Sequence, residues 1–92
     1  MAGSAVTVYT TTFCGPCLRV KALLERQGVA FTEVNAEDHP GLREKLLEKS
    51  GRRTLPQVYV GERFVGGADE IMALHQRGEL LQQLQEVRND DG

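Results

Sequence analysis

The stretch from Ala5 to Val34 reads as strand, helix, strand, and that order leaves few folds open. Ala5-Val6-Thr7-Val8-Tyr9-Thr10 is rich in β-branched and aromatic residues, which suit a pleated, half-buried surface. Gly15 and Pro16 then punctuate the chain, and Leu18, Val20, Leu23 and Leu24 recur near helical spacing up to Gly28. Val29 to Val34 alternates as a second strand. A strand–helix–strand unit implies a right-handed crossover and parallel pairing.

The remainder completes an α/β sheet. Asp38 reads as an N-cap and Pro40 as a first-turn residue of a second helix. Leu42, Leu46 and Leu47 mark its buried stripe, and Gly51 stops it. Gln57 to Val60, the turn Gly61-Glu62, and Arg63 to Val65 form an antiparallel hairpin. Asp69 to Gln76 reads as a helix with Ile71, Met72 and Leu74 facing in, and Glu79 to Val87 as a short final one after Gly78. The expected order is β-α-β-α-β-β-α, a mixed four-stranded sheet with helices on both faces. A chain of 92 residues is expected to form one domain, with Asn89 to Gly92 as a disordered polar tail.

Bulk properties exclude several function classes. A net charge of −2, with Lys and Arg scattered among Glu and Asp, does not suit a nucleic-acid binder. No apolar run is long enough to span a bilayer, and Met1-Ala2-Gly3-Ser4 has no signal-peptide pattern, so the expected address is the cytoplasm.

Cys14 and Cys17 are the only cysteines. A bridge between them closes too small a loop to be a useful structural staple. Zinc needs about four ligands, and the other soft candidates, His39 and His75, lack the spacing of a second ligand pair. Redox chemistry suits the placement better. Cys14 falls where a strand ends and a helix begins, where unpaired N–H groups and the helix dipole favour a thiolate. Cys17 lies one helical turn later, within reach of a mixed disulfide formed at Cys14. The spacing makes Cys14 the nucleophile and Cys17 the resolving thiol. Pro16 pre-sets the first turn and removes an N–H that would be orphaned anyway.

Two further segments carry chemistry. In Thr54-Leu55-Pro56, the proline enters a strand without a donor for the ladder, as an ordinary strand start or as a cis X-Pro bond. It can turn the Leu55 backbone towards an extended thiol substrate. In Phe64-Val65-Gly66-Gly67-Ala68-Asp69, paired glycines precede an acidic residue at a helix start. Such a corner can hold a carboxylate on backbone N–H groups while Asp69 accepts from an ammonium, or Asp69 simply caps the helix.

Taken together, these segments resemble the glutaredoxin family, over roughly Val6 to Leu84. The resemblance rests on Cys14-Gly15-Pro16-Cys17, on Arg53-Thr54-Leu55-Pro56-Gln57-Val58-Tyr59-Val60, and on Gly66-Gly67-Ala68-Asp69-Glu70. It implies a thioredoxin fold, a cis proline at Pro56, and glutathione held as a mixed disulfide on Cys14. It further implies that Leu55, with Thr54, pairs with the cysteinyl unit, and that Gly67, Ala68 and Asp69 take the γ-glutamyl end. Arg53 or Arg52 would meet the glycyl carboxylate. Two positions depart from the family pattern. Gly15-Pro16 is the pair typical of thioredoxins, and Thr11 stands where the family often has a lysine. Phe13 offers an apolar wall beside Cys14 in place of the missing tyrosine.

The expected activity is a dithiol disulfide oxidoreductase without a tightly bound cofactor. It would reduce disulfide-containing proteins and glutathione mixed disulfides, with glutathione or another low-molecular-weight thiol as co-substrate. A monomer binding neither nucleic acid nor membrane is expected. One rival reading makes thioredoxin reductase the electron donor, as Gly15-Pro16 suggests. A second is an iron–sulfur cluster carrier, which Pro16 directly before Cys17 argues against. A third is a non-catalytic thioredoxin-fold adaptor.

Overall fold

The structure is a computed structural model and describes residues 5–84. Its elements are β1 (Val6–Thr10), α1 (Gly15–Arg26), β2 (Thr32–Asn35), a 3-10 turn (Ala36–Asp38), α2 (Leu42–Ser50), β3 (Gln57–Val60), β4 (Arg63–Gly66), α3 (Ala68–Gln76) and α4 (Leu80–Leu84). The strands form one sheet in the order β2-β1-β3-β4. β1 pairs parallel with β2 and antiparallel with β3, and β3 pairs antiparallel with β4. This is the mixed sheet of a thioredoxin fold.

Alternation along β1 separates two layers. Val6 and Val8 pair with Val60 and Val58 and turn towards α1, α3 and α4. There they meet Val20, Leu23, Leu24, Ile71, Leu80 and Leu84 in one buried cluster. Tyr9 and Tyr59 lie on the other face, where their rings meet edge to face with centroids 5.4 Å apart. Lys49 of α2 lies over the Tyr59 ring at 5.6 Å. All four residues of β3 are buried, as expected of a strand covered on both faces.

Several boundaries differ from the sequence expectation for identifiable reasons. α1 closes with Gly28 in the left-handed region, and the Val29 N–H reaches back to Leu24 O at 2.9 Å. That closure occupies Val29, so β2 begins only at Thr32. Leu18 is 62% exposed because it lies off the buried stripe of Cys17, Val20 and Leu24. Asp38 does not cap α2. It belongs to the 3-10 turn, which Asn35 caps by accepting the Glu37 N–H, while Gly41 precedes α2 in the left-handed region. Pro40 therefore lies ahead of α2. In that helix Leu46 is buried, while Leu42 and Leu47 are partly so. The expected tail, and the final helix beyond Leu84, lie outside the described residues.

The buried cluster sets the stability of the frame. Leu24→Ala removes a side chain with no exposed surface and is expected to destabilise the fold by about 3 kcal/mol. Leu18→Ala should change it by less than about 0.5 kcal/mol. Urea unfolding of both variants checks the contrast, and equal losses would mean that the two faces of α1 are misassigned.

Candidate active site

The end of β1, the start of α1, the segment before β3 and the start of α3 all gather at one edge of the molecule. Cys14 is the N-cap of α1, with extended backbone (φ −118°, ψ 107°), and Gly15 and Pro16 open the helix. As cap, its sulfur accepts the Cys17 N–H at 3.1 Å. A donated N–H and the positive end of a helix both favour the charged form of that sulfur. Cys14 and Cys17 are joined as a disulfide, with Cα atoms 5.2 Å apart. Cys14 remains partly accessible, whereas Cys17 is 2% exposed.

Phe13 is the only residue other than glycine with positive φ (58°) among the described residues, and it is wholly exposed. A left-handed phenylalanine costs about 1 kcal/mol. It sharpens the turn from β1 into the cap and leaves an aromatic face in solvent next to Cys14.

The Leu55–Pro56 peptide bond is cis. The Cys14 sulfur lies 3.8 Å from Leu55 O. Beneath this segment, Gln57 is 1% exposed and donates its side-chain amide to Arg52 O (3.0 Å) and Thr54 O (3.1 Å). Tyr59 Oη donates in turn to Gln57 Oε1 at 3.2 Å. This buried polar chain fixes the loop that carries Thr54 and Leu55.

At the opposite wall, α3 starts directly after Gly66-Gly67. Glu70 Oε1 accepts both the Gly67 N–H and Arg52 Nη1, each at 2.9 Å, and Glu70 Oε2 accepts Arg52 Nη2 at 2.7 Å. The Arg52 guanidinium also lies over the Phe64 ring, 5.3 Å from its centroid. The Arg52 fork, helped by the Gly67 N–H, holds the Glu70 carboxyl down at about 2. A Cβ on Gly67 would stand 3.3 Å from Pro56 O, a tight approach, and at an ordinary contact distance of 3.6 Å from Arg52 Nη1, so glycine here leaves the walls room to come close.

Between the walls runs a cleft of about 250 Å³, from Pro16 past Thr54, Leu55 and Pro56 to Gly67, Ala68 and Asp69. Of the residues singled out in the sequence, Pro16, Thr54, Leu55, Pro56, Gly67, Ala68 and Asp69 line this cleft, whereas Phe13 and Arg53 do not, and three refinements follow. Glu70 already takes the Gly67 N–H, so the amides open to a ligand are those of Ala68 and Asp69. The N-cap of α3 is Gly67, and the exposed Asp69 carboxylate makes no hydrogen bond or ion pair among the described residues. Arg52 is committed to Glu70, whereas Arg53 faces a second cleft with Arg43, Glu44 and Leu47.

Thr11 is bound into a polar cluster. It donates to Glu37 Oε2 at 2.5 Å, and Arg43 Nη2 donates to Thr11 Oγ1 (3.1 Å) and to Glu37 Oε2 (2.6 Å). Arg43, and then Thr11, hold the Glu37 carboxyl below the usual carboxylate range. Sequence reasoning passed over Gln57, Glu70, Arg43 and Glu37, because each looks like an ordinary strand or surface residue. A glutamine directly after a strand-entering proline was the one available signal. His39 lines a pocket beside α2 and His75 sits in the last turn of α3; among the described residues, no three His, Cys, Asp or Glu side chains form a metal-holding group.

Known proteins agree with this geometry. The family model described as Glutaredoxin matches residues 6–65. The chain is 45% identical over 75 residues to a glutaredoxin of Pseudomonas aeruginosa, covering 82% of this chain and 89% of the relative. It is 40% identical over 75 residues to glutaredoxin 3 of Escherichia coli K12, covering 82% and 90%. The crystal structure of a buckwheat glutaredoxin–glutathione complex superposes with a TM-score of 0.83 at 31% identity, covering 90% of this chain and 78% of the other. The chain belongs to the glutaredoxin family of thiol–disulfide oxidoreductases.

Proposed function

We propose that the protein reduces glutathione mixed disulfides and protein disulfides through Cys14. The observation that carries this reading is the capping geometry: the Cys14 sulfur accepts the Cys17 N–H at 3.1 Å and lies 3.8 Å from the carbonyl oxygen of Leu55, a residue that lines the cleft. In the reduced protein the Cys14 thiolate attacks the glutathione sulfur of a mixed disulfide. A new S–S bond forms, the old one breaks, and the substrate leaves as its thiolate and takes up a proton. Glutathione thiolate then attacks Cys14-bound glutathione, releasing oxidised glutathione and the Cys14 thiolate. With a protein disulfide, Cys14 attacks one sulfur and expels the other as a thiolate. Cys17 then attacks the Cys14–protein disulfide and expels the second protein thiolate. Two glutathione thiols reduce the resulting Cys14–Cys17 bridge and leave as oxidised glutathione.

Glutathione is the ligand in the similar buckwheat complex, and the cleft has complementary groups for it. Leu55 and Thr54 offer main-chain partners to the cysteinyl unit. The Ala68 and Asp69 amides suit the α-carboxylate and the Asp69 carboxylate suits the ammonium. Arg53, which faces the neighbouring cleft with Arg43, Glu44 and Leu47, takes the glycyl carboxylate.

Cys14→Ser is expected to abolish turnover. Cys17→Ser should keep glutathione removal from mixed disulfides while losing reduction of protein disulfides. Arg53→Ala should raise KM for a glutathionylated peptide about tenfold, with kcat within about twofold, as expected for a lost charge-assisted hydrogen bond. Turnover coupled to glutathione with its NADPH-dependent reductase checks all three. Activity sustained only by thioredoxin reductase would overturn the glutathione reading.

A further inference from the structure

The mouth of the cleft contains an unexpected negative charge. Glu70 lies in the first turn of α3, beside the Ala68 and Asp69 amides that suit a ligand carboxylate. An unpaired carboxylate there would repel an incoming anion and cancel part of the helix-terminal attraction. Arg52 prevents this by taking both Glu70 oxygens, at 2.9 and 2.7 Å, while the Phe64 ring supports its guanidinium at 5.3 Å. The same pair bridges the two walls, since Arg52 leads into the cis-proline segment and Glu70 belongs to α3.

We propose that Arg52 is a specificity-determining residue, whose pairing with Glu70 masks the Glu70 charge, so that the site accepts thiols bearing an α-carboxylate. This rests on the glutathione reading above. Masking differs in consequence from bracing. If Arg52 were only a brace, removing Glu70 as well would leave the walls at least as loose. If Arg52 masks a charge, the Arg52→Ala variant suffers from the exposed Glu70 carboxylate, and neutralising that carboxylate relieves it.

The test measures KM and kcat for Arg52→Ala, Arg52→Lys, Glu70→Gln and the Arg52→Ala/Glu70→Gln double variant. Each is assayed on two mixed disulfides of one peptide, one with glutathione and one with cysteamine, which has no carboxylate. Arg52→Ala should raise KM for the glutathione substrate about tenfold, with kcat within about twofold, and leave the cysteamine substrate nearly unchanged. The double variant should return KM to within about threefold of wild type, and Arg52→Lys should fall between. The proposal is overturned if the double variant is no better than Arg52→Ala, or if both substrates lose equally. A wild-type protein that does not prefer the glutathione substrate would instead refute the glutathione reading, and the proposal with it. Far-UV circular dichroism and urea midpoints of each variant separate loss of fold from loss of recognition.

Discussion

The antiparallel register of β1 against β3 is the constraint on which the site depends. Tyr9 opposite Gln57 brings the end of β1 and the start of β3 to the same edge of the sheet. Cys14 lies five residues beyond Tyr9, and Pro56 directly precedes Gln57. Two segments far apart in sequence thus meet with a sulfur 3.8 Å from a carbonyl. A one-residue slip would invert β3, sending Val58 and Val60 out of the core and breaking this meeting. The apolar cluster under the sheet therefore specifies the geometry at its edge.

Around that edge the charges are arranged in pairs rather than left open. Glu70 is paired with Arg52, Glu37 with Arg43, and Lys21 with Glu33. These pairs are largely exposed, so each adds little to stability. Their effect is directional. Among the described residues they leave Asp69 as an acceptor without an ion-pair partner, and Arg53 outside the Arg52–Glu70 fork. Thr11 contributes by a route of its own: a hydroxyl cannot supply charge, but it holds the Arg43 guanidinium beside the loop that leads to the cysteines.

Local pattern made much of this legible. The β-branched run at Val6 to Thr10, the punctuation by Gly15 and Pro16, and the Gly61-Glu62 turn each specify their element from nearby residues. The three chemical segments were also readable, because cysteine spacing, a strand-entering proline and paired glycines carry their chemistry locally. Long-range partnerships were not readable in the same way. Nothing near Glu70 says that its carboxylate meets Arg52, and nothing near Gln57 says that its amide lies under Thr54. The Asp38 cap failed for a related reason: Asp38 is taken up by the 3-10 turn that Asn35 caps, and α2 begins later, after Gly41.

Gln57 gives the site a property that follows from where its hydrogen bonds end. Its amide ties Arg52 O and Thr54 O to the sheet, and Tyr59 ties the amide in turn. None of these bonds involves a sulfur atom. The scaffold opposite Cys14 is therefore anchored independently of whether the Cys14–Cys17 bridge is open or closed. Under the proposed reaction, opening the bridge breaks none of the hydrogen bonds by which Gln57 holds Arg52 and Thr54.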